Sequence, residues 1–372
     1  MNNQFKISAE LHYLSELLLF AAAFLIGFRS TIGVSNFPNT IFFRLMSGVA
    51  WLFVYVSLFF SSYTKRDLLI SVFLLLLPFA IIAHSKVSTP FLNTLVIIAA
   101  RGKNVKKILE ANFWGILSAS VLTMAACFAG FIPDVKFLDG SKSLGFFNPN
   151  AFPIRFAAMV FLSLIIWHKK IGIFHLVLIN VVSYFVYAET GSRAGIIIIL
   201  GFTLTVLFVK ISKITRFFVR RLVVVGAVII ALFSIFGVFL YPVIPLFKQA
   251  DKILTGRLSQ PLYYFALYQP MPFGNYIKEF QIEGARPKHY TIDNGYIRIL
   301  IEWGFLYLIF FLFGYWKTIK KYAKKNDCCV ALALMFVLLY MLSESVFCTL
   351  NANWILVLCT ETYFYRKTRH KK

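Results

Sequence analysis

Charge is scarce in this 372-residue chain, at 14% of residues, and acidic charge is scarcer still: 15 Asp and Glu stand against 38 Lys and Arg. A soluble domain carries about a quarter of its residues charged, so water is not the main solvent of this chain. The five cysteines, Cys127, Cys328, Cys329, Cys348 and Cys359, form no Cys-x-x-Cys pair, which argues against a disulfide framework or a zinc site. The histidines His12, His84, His168, His175, His289 and His370 show no His-Glu-x-x-His spacing, and no Gly-x-x-x-x-Gly-Lys-Ser/Thr loop occurs. ATP hydrolysis and metal-assisted hydrolysis lose their usual footholds, and no cofactor or metal is expected. The first apolar stretch follows Glu10 and Glu16 and lacks a basic n-region and a small-residue cleavage site, so it reads as a retained first span.

Apolar residues are abundant: 59% of the chain is hydrophobic, 42 residues are Phe, and the mean hydropathy is +0.76. Apolar runs recur at roughly the 17 to 25 residues that a helix needs to cross about 30 Å of hydrocarbon, whereas barrel strands would be half as long and alternate in polarity. The expected fold is all-α, a polytopic membrane bundle forming one integral domain over 1–372. Twelve spans are expected, centred near Leu18, Trp51, Leu74, Leu95, Val121, Phe161, Val177, Leu200, Val228, Leu306, Met335 and Leu356. The fourth is the shortest.

Short cytoplasmic loops hold the excess of lysine and arginine. With both termini inside, the inner set takes Lys65 and Arg66, the cluster from Arg101 to Lys107, Lys169 and Lys170, Lys210 to Arg221, Lys317 to Lys325, and the tail from Arg366 to Lys372. That places about 24 of the 38 basic residues inside. The net charge of +23 is dealt out in small groups between spans, which fits topology and anionic lipid better than nucleic acid.

Two segments expected outside are long enough to hold chemistry. The first, 133–152, contains Gly145-Phe146-Phe147-Asn148-Pro149-Asn150, a turn-forming string that also reads as plain re-entry into the sixth span. The second, 241–294, is rich in proline and aromatics, among them Pro287, Tyr263, Tyr264, Phe265, Tyr268 and Phe273. Those rings suit an interfacial belt as well as a cleft lining.

The tetrad Gly191-Ser192-Arg193-Ala194 sits where one apolar run ends and the next begins. An arginine there is costly to leave unpaired and marks a functional candidate. Arg257, read with Arg193, supplies a second planar guanidinium on the same side, a pair that suits phosphate or pyrophosphate. Glu189 would face Arg193 if the helix ran on through the tetrad, since i and i+4 share a face. Gly274, Asp293 and Asn294 are polar points on an apolar ground, and Glu302 and Glu344 are acids at membrane depth, each expected to pair with a basic neighbour.

Taken in order, Gly145 to Asn150, Thr190 to Ala194, Gly256-Arg257, Pro272-Phe273-Gly274, Asp293-Asn294-Gly295-Tyr296 and Glu302-Trp303-Gly304 resemble the signature string of the O-antigen polymerase and ligase superfamily. The resemblance runs from about Pro133 to the C-terminus. It implies a polymerase of polysaccharide repeats in the cytoplasmic membrane of a bacterium, joining undecaprenyl-diphosphate-linked oligosaccharides at the outer face without nucleotide sugar or metal. Its implied partners are that substrate, membrane lipid, a flippase and a chain-length regulator. Arg193 and Arg257 would hold the diphosphate, and Asp293 would act as base where ligases of the superfamily carry histidine. Asn150, Glu189, Ser192, Gly274, Asn294 and Tyr296 would line the substrate. His289 does not fall in the register of the missing histidine.

Two other readings stand beside this one. A ligase would transfer finished polymer to another acceptor, and a flippase would carry the lipid-linked repeat across the bilayer. The chain shows no half-to-half repeat, and its polar constellation gathers at helix ends rather than at the midplane where carriers bind.

Overall fold

The computed structural model describes residues 9–277 and 292–364. His289, Pro287, His370 and the basic tail from Arg366 lie outside the described residues. Nearly everything described is helical, and no strand occurs among these residues beyond two isolated bridges, Ser35 to Phe146 and Lys136 to Lys142.

The order is α1 (Ala9–Ile32), α2 (Ile41–Phe59), α3 (Lys65–Ser85), α4 (Thr89–Ala99), α5 (Val105–Phe128), α6 (Ala151–Trp167), α7 (Ile173–Thr190), α8 (Arg193–Ile211) and α9 (Lys213–Leu240). Two short helices follow, α10 (Pro245–Ile253) and α11 (Gln260–Leu267). After the undescribed stretch come α12 (Gly295–Arg298), a π-helical turn (Ile299–Trp303), α13 (Phe305–Lys324) and α14 (Cys328–Met341). Two 3₁₀ segments, Ser345–Cys348 and Trp354–Cys359, and α15 (Thr360–Tyr363) complete the described chain.

Among the described residues, α1, α2, α3, α5, α7, α8 and α9 are long and apolar enough to cross a membrane, and α4, α6 and α14 are shorter apolar helices. Helices α2 and α3 present Ile41, Leu45, Leu69 and Phe73 outward, as a lipid-facing surface requires. Helices α6 and α14 are buried almost all round, and a helix apolar on every face belongs at the centre. Helix α1 packs along α5, where Asn112 donates Nδ2 to the Ala23 carbonyl across 3.0 Å.

The turns sort to two ends. At the lysine end, side chains cap helix after helix: Thr64 and Asp67 form a capping box on α3, Asn104 caps α5, Ser212 caps α9 and Asp327 caps α14. Each cap supplies an acceptor to an otherwise unpaired N–H and fixes where its helix starts. Asp67 also pairs with Arg101 at 2.6 Å, and Lys210 donates to the His168 and Ile171 carbonyls, both at 2.6 Å.

At the loop end, Asn36 donates Nδ2 to the Pro133 and Phe146 carbonyls, tying the α1–α2 turn to the first long loop. His84, at the close of α3, meets the Gly274 carbonyl at 2.9 Å. The second long loop folds back on the bundle: Phe247 of α10 stacks on Phe233, and Phe265 of α11 lies 4.8 Å from Phe239, both partners being on α9. These rings are packing residues rather than a free belt.

Near Leu356 the structure departs from a continuous helix. Asn353 is fully buried and donates Nδ2 to Tyr315 and to the Phe347 carbonyl. Such side-chain bonds compete with the helical ladder and leave the segment as 3₁₀ turns.

Candidate functional site

Helix α7 stops at Thr190 because Gly191 takes a left-handed backbone, φ 66°, a conformation that costs a residue with Cβ about 1–2 kcal/mol. Ser192 then occupies the N-cap of α8, and Arg193 is the first residue of the new helix. The break separates Glu189 from Arg193, so the facing pair expected from a continuous helix does not form. Glu189 turns to the first loop and pairs with Lys142 at 2.6 Å, while Lys142 donates its backbone N–H to the Glu189 carbonyl.

Arg193 is exposed and makes no hydrogen bond or ion pair with any described residue. Ser192 is buried and its hydroxyl does not cap the helix. A 19-residue helix therefore starts without a side-chain cap beside an exposed guanidinium, an arrangement that attracts anions on two counts.

Arg257 is positioned by a tight turn after α10. Thr255 and Gly256 both have positive φ, 52° and 86°, and the buried Asp251 carboxylate accepts from the N–H groups of Leu258 and Ser259 at 2.7 and 3.2 Å. The guanidinium between those anchors makes three contacts. Its Nη1 lies 3.1 Å from Asp293 Oδ2 and 3.4 Å from the Thr255 carbonyl, and its Nε donates to the Ser343 carbonyl at 3.2 Å.

Ser343 fixes the place of Arg257. It belongs to the turn that closes α14, held by its N–H on the Tyr340 carbonyl at 3.0 Å. The Tyr340 hydroxyl in turn lies 3.3 Å from where a Cβ on Gly195 would stand, in the first turn of α8. The first turn of α8, which Arg193 opens, therefore packs near the end of α14 that Arg257 contacts through Ser343.

Further charged groups gather there beside Glu302 and Glu344. Arg298 pairs with Glu302 at 3.0 Å and lies 3.4 Å from the Ser345 hydroxyl. Their i,i+4 spacing was the available signal. Arg155, buried in the second turn of α6, donates to the carbonyls of Ser30 and Asn351. It lies in an apolar run with no motif around it, so nothing local marked it. Tyr264 of α11 faces the same acids: burial, then Glu302, then Tyr263 and Asp293, push its phenol up to about 12. Glu344, in the turn beyond α14, has its carboxyl pushed up to about 8 by burial first and by Asp293 second, with Arg257 opposing.

Of the residues expected to line substrate, several make contacts that hold the scaffold. Gly274 (φ 78°) presses so closely on the π-helical turn that a Cβ would come within 2.1 Å of the Glu302 carbonyl oxygen, and its own carbonyl meets His84. Asn294 is 1% exposed; its Oδ1 caps α12 through the Tyr296 and Ile297 N–H groups and accepts from Ser234. Tyr296 is fully buried and donates to the Leu338 carbonyl at 2.8 Å. These two fix the chain next to Asp293. Asn150 is half-buried at the N-cap of α6, with its N–H on Asn148 Oδ1. No protein-family model, curated protein or solved structure matches the chain.

Proposed function

We propose that this chain is a membrane glycosyltransferase that polymerises oligosaccharide repeats carried on undecaprenyl diphosphate. Its working end is the one that carries Arg193 and Arg257. The observation that supports this reading is the contrast between the two arginines: one is exposed at the N-terminus of α8 without a partner among the described residues, and the other is held by Asp293 and Ser343 beyond the end of α14. A diphosphate bridging them would face the α8 N–H groups as well.

In the reaction, a hydroxyl of one lipid-linked unit attacks the anomeric carbon of the other chain. The bond from that carbon to the diphosphate oxygen breaks, the new glycosidic bond forms, and the hydroxyl proton passes to a carboxylate, the role this reading gives to Asp293. Arg193 and Arg257 stabilise the charge growing on the leaving diphosphate. A glycosyl diphosphate already carries a good leaving group, so orientation and charge neutralisation supply most of what is needed. The proton on Glu344 keeps a second negative charge away from Asp293 and the incoming phosphate.

In this reading the membrane is crossed twelve times, by the seven long helices together with α4, α6, α13, α14 and the broken segment 345–363. Both termini and the lysine end then face the cytoplasm, and the working end faces outward. Purified protein incubated with a defined lipid-linked repeat, followed by sizing of the glycan, tests the assignment. Ladders of longer glycan support a polymerase. Substrate moved across a vesicle wall without lengthening, or transfer only to a different acceptor, would replace the reading with a flippase or a ligase.

A further inference from the structure

Helix α13 changes character along one stripe. Leu306, Ile309 and Phe313 are exposed apolar residues, and Lys317, Lys320 and Lys324 continue the same stripe at i+3 and i+4 steps. The apolar half suits acyl chains, and the lysine half begins where that surface ends. Lys321 and Lys325 complete a row with three like-charged i,i+4 pairs, 317 with 321, 320 with 324 and 321 with 325. Such pairs weaken a helix, and the C-terminal dipole offsets this only in part.

Four of the five lysines are steadied by a neighbouring ring or carboxylate, and Lys324 is exposed. The Lys317 ammonium sits 4.3 Å from the Phe313 ring centre and that of Lys320 sits 4.8 Å from Trp316. Lys321 and Lys325 share the Glu361 carboxylate at 2.9 and 3.5 Å. Five lysines and Glu361 line a groove of about 500 Å³. Glu361 is the single acid against five cations there, and Lys317, Lys320 and Lys324 have no carboxylate partner among the described residues.

We propose that this groove binds the headgroup of an anionic phospholipid, with the acyl chains lying along Leu306, Ile309 and Phe313. The phosphate would stand among Lys317, Lys320 and Lys324, the three cations that the protein leaves uncompensated. The apolar stripe leading into the groove distinguishes a lipid from a soluble phosphate, because only a lipid uses both halves. This site stands apart from the reaction proposed above and does not depend on it.

The test titrates detergent-solubilised protein with short-chain phosphatidylglycerol, phosphatidylcholine or inorganic phosphate and follows the melting temperature. Phosphatidylglycerol should raise it saturably, and the other two should not. The triple change Lys317→Gln, Lys320→Gln, Lys324→Gln should weaken apparent affinity by about two orders of magnitude, as expected for three lysines close to a membrane anion. A control with Lys169→Gln, Lys170→Gln and Lys213→Gln, at other basic turns, should keep wild-type affinity. Glu361→Gln, which removes the one negative charge lining the groove, should tighten binding. Equal shifts in the triple variant and the control, or an equal response to inorganic phosphate, would overturn the assignment. Should the triple variant melt too low to titrate, weaker rather than tighter binding by Glu361→Gln would overturn it independently.

Discussion

Arg257 and Asp293, on either side of α11 in the sequence, meet at 3.1 Å with the guanidinium also anchored on the Ser343 carbonyl. The pair is largely enclosed, with the Arg257 side chain 15% exposed and Asp293 28%. Arg193 has no such anchor, and that asymmetry sets the first prediction.

Arg193→Ala should leave stability within about 0.5 kcal/mol of wild type, since an exposed, unpaired side chain holds nothing in place. Arg257→Ala should cost about 1–3 kcal/mol, because it strips Asp293 and the Ser343 carbonyl of a charged donor. Melting curves of the two purified variants check this. Equal destabilisation by both would contradict the division into a free and a structural arginine.

Asp293→Asn keeps the size of the side chain and removes its capacity as a base. The expected loss in elongation rate is about 10² to 10⁴, the usual share of general-base assistance. Initial rates on a defined lipid-linked repeat measure it, and turnover at the wild-type rate would take Asp293 out of the mechanism.

Gly274→Ala should destabilise by about 2–4 kcal/mol, from a left-handed backbone that tolerates Cβ poorly and from collision with the Glu302 carbonyl. The motif residue matters here as a spacer between the second loop and the π-helical turn, and the variant should show its defect in thermal melting before substrate is added. Wild-type melting together with weakened substrate binding would restore a direct ligand role for Gly274.

Glu344 carries a pH signature. Its carboxyl is held at about 8 against an ordinary 4.5, so between those values folding takes up a proton and stability falls as pH rises. Glu344→Gln cannot ionise and loses that slope. Melting temperatures across this window should show the variant gaining on wild type as pH rises to about 8, then running parallel. Curves parallel throughout would mean that Glu344 is not held protonated.

The sequence made the class of fold legible, because lipid-facing apolar runs such as Ile41 to Phe59 and Lys65 to Ser85 declare themselves by length and composition. The breaks were legible where glycine marked them, as at Gly191. The end of the chain was not, because the polar side chains that unwind 345–359 act through partners distant in sequence, such as Tyr315. At the site, Arg193, Arg257 and Asp293 could be chosen from motif and position. The roles of Asn294 and Tyr296 could not, since nothing local says that one caps a buried helix and the other reaches Leu338. Arg155 was missed because its partners, the Ser30 and Asn351 carbonyls, are a property of the packed bundle, whereas Arg298 had a local signal in its i,i+4 spacing from Glu302.

The central claim is that Arg193 and Arg257 together receive a polyprenyl diphosphate, and glycan sizing after incubation of purified wild type, Arg193→Ala and Arg257→Ala with one defined lipid-linked repeat tests it most directly. The account predicts a ladder of lengthened glycan from wild type and single repeats alone from both variants, with Arg193→Ala still folded as judged by its melting temperature. Full-length polymer from the folded Arg193→Ala protein would contradict it.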